Sequence, residues 1–393
     1  MKSKLSFLFF IPTLCLVVSV LSANAKTIMV SQSADSGPGT FRDAIAQVNG
    51  DSSVSNIKFK PKLATVWLKT PVIYSGTQSL IIDGADGTIS QKGSSDLFVV
   101  KSGADISLFN ISFTRALKSG VTVNVPPGDA ARNQTVLLKN VTLKQNGWYG
   151  LHFDDQSGGD GGGVDSASSL RLVVIDSKVE KNNNPALAPS ASDKDGIRVD
   201  EGGVGDVTVV IVRSSFDKNA AEGIEIDETG PGDVILNVSG SSFNSNGSQP
   251  QKLSDLEDGL DVDEAGPGSI RVNITESAVS LNRDEGIDLD EADEGEIYFT
   301  AVDIKASRNT DENIKITQLG SGNITALLRE TVVKDSLDGD GVKLESFDNG
   351  KDENPVGAVF VSIDRSSFTF NDSDDLQIEA ASGEVMVSAS TIG

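Results

Sequence analysis

The sequence predicts an all-β solenoid, a chain wound into stacked rungs of short strands. Three observations predict it. First, residues 195–297 hold one phrase four times: Asp195-Gly-Ile-Arg-Val-Asp-Glu201, Glu222-Gly-Ile-Glu-Ile-Asp-Glu228, Asp258-Gly-Leu-Asp-Val-Asp-Glu264 and Glu285-Gly-Ile-Asp-Leu-Asp-Glu291. Second, each copy is a turn signal followed by strict alternation, which places the apolar pair on one strand face and the polar pair on the other. Third, Gly196 to Gly223, Gly259 to Gly286 and Gly286 to Asn313 are each 27 residues apart, a period typical of stacked repeats.

Taken in order, the chain opens with Lys2 and Lys4, an apolar run from Leu5 to Leu21, and the small-x-small sequence Ala23-Asn24-Ala25. Residues 1–25 are therefore expected to be a secretory signal cleaved after Ala25, which makes the product secreted, periplasmic or displayed at the cell surface. The lone cysteine, Cys15, falls inside this segment, so no disulfide or thiol chemistry is expected afterwards. The formal charge of −24 becomes −26 when the two lysines leave. That balance argues against nucleic acid or anionic lipid as partners. The acids are interleaved with Val, Ile, Leu and Phe at strand spacing, so they are no disordered tail, and no membrane span is expected in the mature chain.

Residues 26–96 are assigned to an N-terminal cap and the first rungs, and 97–393 to the repeats. Within the cap, Thr40 can start a short helix answered by Asp43, with Phe41, Ile45 and Val48 on one face. A helix there would cover the open end of the solenoid, where unpaired strand edges invite aggregation. Second strands of the rungs follow at Val207–Val212, Val234–Val238, Ile270–Ile274, Ile297–Thr300 and Ile324–Leu328. Asn146, Asn219, Asn282, Asn309 and Asn371 each lie four residues before the repeat-glycine position and are expected to stack as an amide ladder. Extra residues enter only just before and just after the acidic strand, where loops would wall its outer face.

Residues 35–49 resemble the D-S-G-P-G-S/T-x-R-x-A-I opening of many secreted bacterial right-handed parallel β-helix proteins. Leu80-Ile-Ile-Asp-Gly84 and Ala104-Asp-Ile-Ser-Leu-Phe-Asn-Ile-Ser-Phe113 have a rhythm similar to that pectate-lyase-like superfamily. The resemblance implies a right-handed parallel β-helix over most of the mature chain, of about ten rungs. It fixes no activity, because the superfamily holds lyases, hydrolases, epimerases, adhesins and tailspikes.

Stacking the repeats at ~4.8 Å sets two columns on the outer face of the acidic strand. One runs Arg198, Glu225, Asp261, Asp288, Lys315, Lys343; the other runs His152 or Asp154, then Asp200, Asp227, Asp263, Asp290, Thr317, Glu345. Glu201, Glu228, Glu264 and Glu291 stand just beyond. Carboxylates ~5 Å apart repel, and raised pKa values or bound cations relieve that. Hard oxygen donors favour calcium, so Glu225, Asp227, Asp261, Asp263, Asp288 and Asp290 are the candidate ligands. Three functions follow. One is a calcium-binding face that engages polysaccharide or a cell-surface glycan. Another is a calcium-dependent polysaccharide lyase or epimerase, as enzymes of the superfamily suggest, with Arg198, Lys315 or His152 in catalysis. The third is a stalk or adhesin without a specific ligand.

Overall fold

The computed structural model describes residues 26–128, 133–155, 166–188, 194–247, 257–347 and 356–393. They form a right-handed parallel β-helix. Every strand pairs in parallel, in one sheet of eleven strands and one of twenty-two. From Leu151 onward each repeat gives one strand to the smaller, acidic sheet and two to the larger, which wraps around the core. In the rungs before it one long strand, such as Gln134–Lys144, takes the place of those two.

Register follows the repeat. Ile197, Ile224, Leu260 and Ile287 are cross-strand partners, as are Val199, Ile226, Val262 and Leu289. All eight are fully buried, so the alternation read from the sequence assigns the inner face correctly. The repeat glycine is required by what lies against it. A Cβ at Gly223 would stand 2.9 Å from the Asn246 amide nitrogen, and one at Gly259 would stand 2.5 Å from that of Asn282. These amides belong to the ladder.

That ladder is longer than the five asparagines expected. Side-chain amides pass from Asn146 through Asn182, Asn219, Asn246, Asn282 and Asn309 at 2.9–3.1 Å. Asn182 and Asn246 head the two long insertions, yet they keep their ladder places. In the next rung no asparagine holds the usual position, and Asn313 fills the gap from the repeat-glycine site. It accepts from Asn309 at 2.8 Å and donates to Asn371 at 2.9 Å. The chain of amides ends on the Asp375 carboxylate at 2.6 Å.

A row of serines at the bend between second and third strands escaped the sequence analysis. Ser177, Ser214 and Ser241 each donate a backbone N–H to the next serine hydroxyl at 3.1 Å, ending on Ser277.

The helix Phe41–Gly50 closes the N-terminal end. Thr40 accepts from the Asp43 N–H at 3.2 Å, and the Asp43 carboxylate accepts from the Gly39 N–H at 2.8 Å, a variant of the capping box in which the return bond falls one residue before the N-cap. Phe41, Ile45 and Val48 are buried, with Phe41 packed 5.6 Å from Phe59 and 5.8 Å from Phe98. Arg42 ties the cap to the first rung through Asp35 and the Thr70 and Pro71 carbonyls.

Candidate metal centre

Three columns of acids meet on the acidic sheet. The first two are those expected, with one correction. Leu151 pairs with Ile197, so His152 stands under Arg198 in the first column and Asp154 under Asp200 in the second. Gly150 aligns with Gly196, and His152 is two residues past its glycine just as Arg198 is. The third column is the acid before each glycine: Asp195, Glu222, Asp258, Glu285, Glu312 and Asp340, all buried. The repeated phrase carried that signal, because each copy begins with an acid, but sequence reasoning treated the acid as part of a turn. Crowding from this third column also buries Glu225 and Asp288, to 8% and 7% exposure, although both point away from the apolar core.

The basic residues sit at the two ends of the acidic stretch. At one end Arg198 is gripped by Glu225 and Asp227, bonds Asp200 at 2.8 Å, and lies 3.7 Å from Asp195. Burial alone would lower its pKa, but Glu225, Asp195, Asp200 and Asp227 outweigh burial and raise it. At the other end Lys315 bonds Asp288 at 2.8 Å and Glu285 at 2.9 Å. Burial again pulls down, and Asp288 and Glu285 override it. Lys343 pairs with Glu345 at 2.5 Å and Glu312 at 3.5 Å. His152 Nε2 meets Asp200 at 2.6 Å, with the Tyr149 ring stacked 4.6 Å away. Arg198 and Lys315 are thus held as cations, a poor state for proton abstraction.

Between these ends lies a rung with no counter-charge of its own. Among the described residues, no basic side chain forms an ion pair with Asp258, Asp261 or Asp263. Burial, then the charges of Asp263, Asp288, Glu225 and Glu222, push the Asp261 carboxyl well above its usual range. Burial, then Asp227 and Asp290, push Asp263 up to about 7. Two triads flank this rung, Glu225–Asp227–Asp263 and Asp258–Asp261–Asp288. In each, one oxygen per carboxylate lies within 4.8 Å of the others. One oxygen of Asp288 and one of Asp290 accept no hydrogen bond. Five of the six residues named from the sequence as ligands fall in these triads, and the sixth, Asp290, pairs across the strands with Asp263. Orphaned hard-oxygen donors of this kind suit a divalent cation of calcium size.

A fourth acid row, which the sequence put just beyond the two columns, turns inward. Glu201, Glu228, Glu264 and Glu291 are at most 1% exposed. Each folds back over the turn that follows. Gly205 donates to Glu201 at 3.1 Å, Gly230 to Glu228 at 2.9 Å, and Gly268 to Glu264 at 3.3 Å. Burial and the neighbouring carboxyls raise Glu201 and Glu228 to about 8 and Glu264 and Glu291 to about 7. Asp155 continues the row at about 8, raised by burial and by Glu201.

No protein-family model matches this chain, and no curated protein matches its sequence. Solved structures give likenesses of fold. Pectate lyase Pel9A superposes at a TM-score of 0.46 with 14% identity, over 92% of this chain and 79% of that one. Tailspike protein 2 from Escherichia coli O157:H7 bacteriophage CAB120 gives 0.46 with 11% identity, over 82% and 40%. ORF18 of Geobacillus virus E2 gives 0.41 with 10% identity, over 93% and 63%. The chain therefore spans well under half of the tailspike. Among the described residues no helix is long and apolar enough to cross a membrane.

Proposed function

We propose that this chain is an exported β-helix protein whose acidic face binds calcium and, through it, an anionic polysaccharide or cell-surface glycan. The observation that carries this reading is the middle rung, where Asp258, Asp261 and Asp263 face further carboxylates with no basic ion-pair partner among the described residues. Two triads of oxygen donors supply the start of a six- to eight-oxygen shell, completed by water or by the ligand's own carboxylates. A chain with a formal charge of −24 repels polyanions unless a cation intervenes. Carboxylates recurring along a straight face match a linear polymer whose charges also recur. The Lys2–Ala25 segment is the basis for export.

A lyase is supported less well, because its candidate bases, Arg198 and Lys315, are pinned in their charged forms. The test is titration of calcium into chelator-treated protein, followed by retention on an immobilised uronic-acid polymer with calcium or with chelator. Heat on titration and calcium-dependent retention are expected. Absence of both would overturn the reading, and release of unsaturated product would restore the lyase.

A further inference from the structure

A further acid cluster shares only Glu225 with the triads that flank the middle rung. On the other side of Arg198, Asp195, Glu222 and Glu225 bring carboxylate oxygens within 4.8 Å of one another. The three lie on two consecutive rungs and are enclosed: Asp195 is wholly buried, Glu222 is 7% exposed and Glu225 is 8% exposed. Neither oxygen of Asp195 accepts a hydrogen bond, and one oxygen of Glu222 accepts none.

Among the described residues, the one basic side chain that pairs with this cluster does not balance it. Arg198 Nη1 is 3.7 Å from Asp195, and the same guanidinium already serves Glu225, Asp227 and Asp200. A buried carboxylate persists only when it is paired, hydrogen-bonded or bound to a metal. Asp195 shares a single cation with three other acids and has no hydrogen-bond donor. Protonation is one escape, since Asp195 is pushed well above its usual range by burial and then by Glu222. A proton on Asp195, donated to an oxygen of Glu222 or Glu225, relieves only one of the three charges, however. A cation satisfies all three at once.

We propose that Asp195, Glu222 and Glu225 form a second, enclosed centre for a hard divalent cation, fastening one acidic turn to the next. Three carboxylates offer up to six oxygens when each binds through both, which suits calcium better than the smaller, rigidly octahedral magnesium. Enclosure behind the wholly buried Asp195 makes this ion slow to exchange, whereas the middle rung opens to solvent at the partly buried Asp261 and Asp263. The centre does not depend on the outer face binding cations.

The experiment measures metal content after long dialysis of the whole protein from calcium into metal-free buffer without chelator. Wild type and Asp261→Asn are expected to retain one calcium per chain, and Asp195→Asn to retain none while keeping its circular dichroism. Glu222→Gln is expected to behave as Asp195→Asn, and it carries the test if Asp195→Asn does not fold. Retention by both variants, or loss from wild type under the same dialysis, would overturn the centre and leave Asp195 as a buried acid holding only a proton. Failure of the outer-face reading shows separately, as unchanged calcium titration heat in Asp261→Asn.

Discussion

At the scale of single residues, the neighbours Ile287 and Asp288 divide the two roles of the acidic strand. Ile287 points into the solenoid and is fully buried. Its replacement by Ala is expected to cost roughly 2–5 kcal/mol through lost transfer energy and an unfilled cavity. Asp288 points the other way, into a field of like charge that only Lys315 offsets. Asp288→Asn is expected to cost little or to stabilise in chelator. Denaturant melts of both variants check this, and equal losses would reverse the inward and outward assignments.

Asp261 is the sharper case, since the charges that raise it are all negative. Like charges about 5 Å apart repel by up to roughly 3 kcal/mol at an effective dielectric near 20. Asp261→Asn should therefore raise the melting temperature without calcium and shrink the gain on adding it. A variant that melts lower in chelator would contradict the charge balance described here.

Among the elements, the buried glutamate row is the one that titrates. Glu201, Glu228, Glu264 and Glu291 have folded pKa values of about 7 to 8, above the ~4.3 of an unfolded glutamate. The folded state thus binds more protons than the unfolded state across that interval. Stability from this row is complete below the unfolded pKa and is lost as pH rises through about 7 to 8. Melting temperature in chelator is expected to fall between about pH 5 and about pH 8, and Glu228→Gln with Glu264→Gln to flatten the fall. An unchanged slope would place the titration elsewhere.

The amide ladder makes a different demand. Asn282 accepts from Asn246 and donates to Asn309 and the Phe243 carbonyl. Asn282→Ala should cost roughly 1–3 kcal/mol for each buried partner it orphans, whatever the pH or calcium.

The same elements show what could be seen in advance. Period-two alternation gives the inner face of every acidic strand, because a one-residue slip would expose the whole apolar set. It also assigns Glu201, Glu228, Glu264 and Glu291 inward. A buried carboxyl runs against the cost of burying charge, and for Glu201, Glu228 and Glu264 the turn amides that make it tolerable come from glycines two or four residues on, as in Glu228-Thr-Gly-Pro-Gly232. The choice between His152 and Asp154 stayed open because a strand without a glutamate at its end leaves two registers to choose from; the pairing of Asp154 with Asp200 decides it. Asn313 could not be found by spacing, since it reaches the ladder from the glycine position. The enclosed cluster around Asp195 needs the third acid column, which appears only once rungs are stacked in register.

Over the whole molecule, the solenoid is a rigid array that brings acids from successive rungs together before any ligand arrives. Thirty-three basic residues stand against fifty-seven acids in the chain, and the face described here concentrates that imbalance between Arg198 and Lys315. A cation that binds the folded face and not the unfolded chain stabilises by mass action, by about 2.7 kcal/mol at a hundredfold excess over its Kd. The most direct measurement is the thermal melt of the intact protein at neutral pH and low salt, in excess calcium and in excess chelator. The melting temperature is expected to rise in calcium, by less in Asp261→Asn, and to stay high when sodium replaces chelator at matched ionic strength only if calcium remains. Identical melts in calcium and chelator, for wild type and variant alike, would contradict the claim that this face is built around a cation.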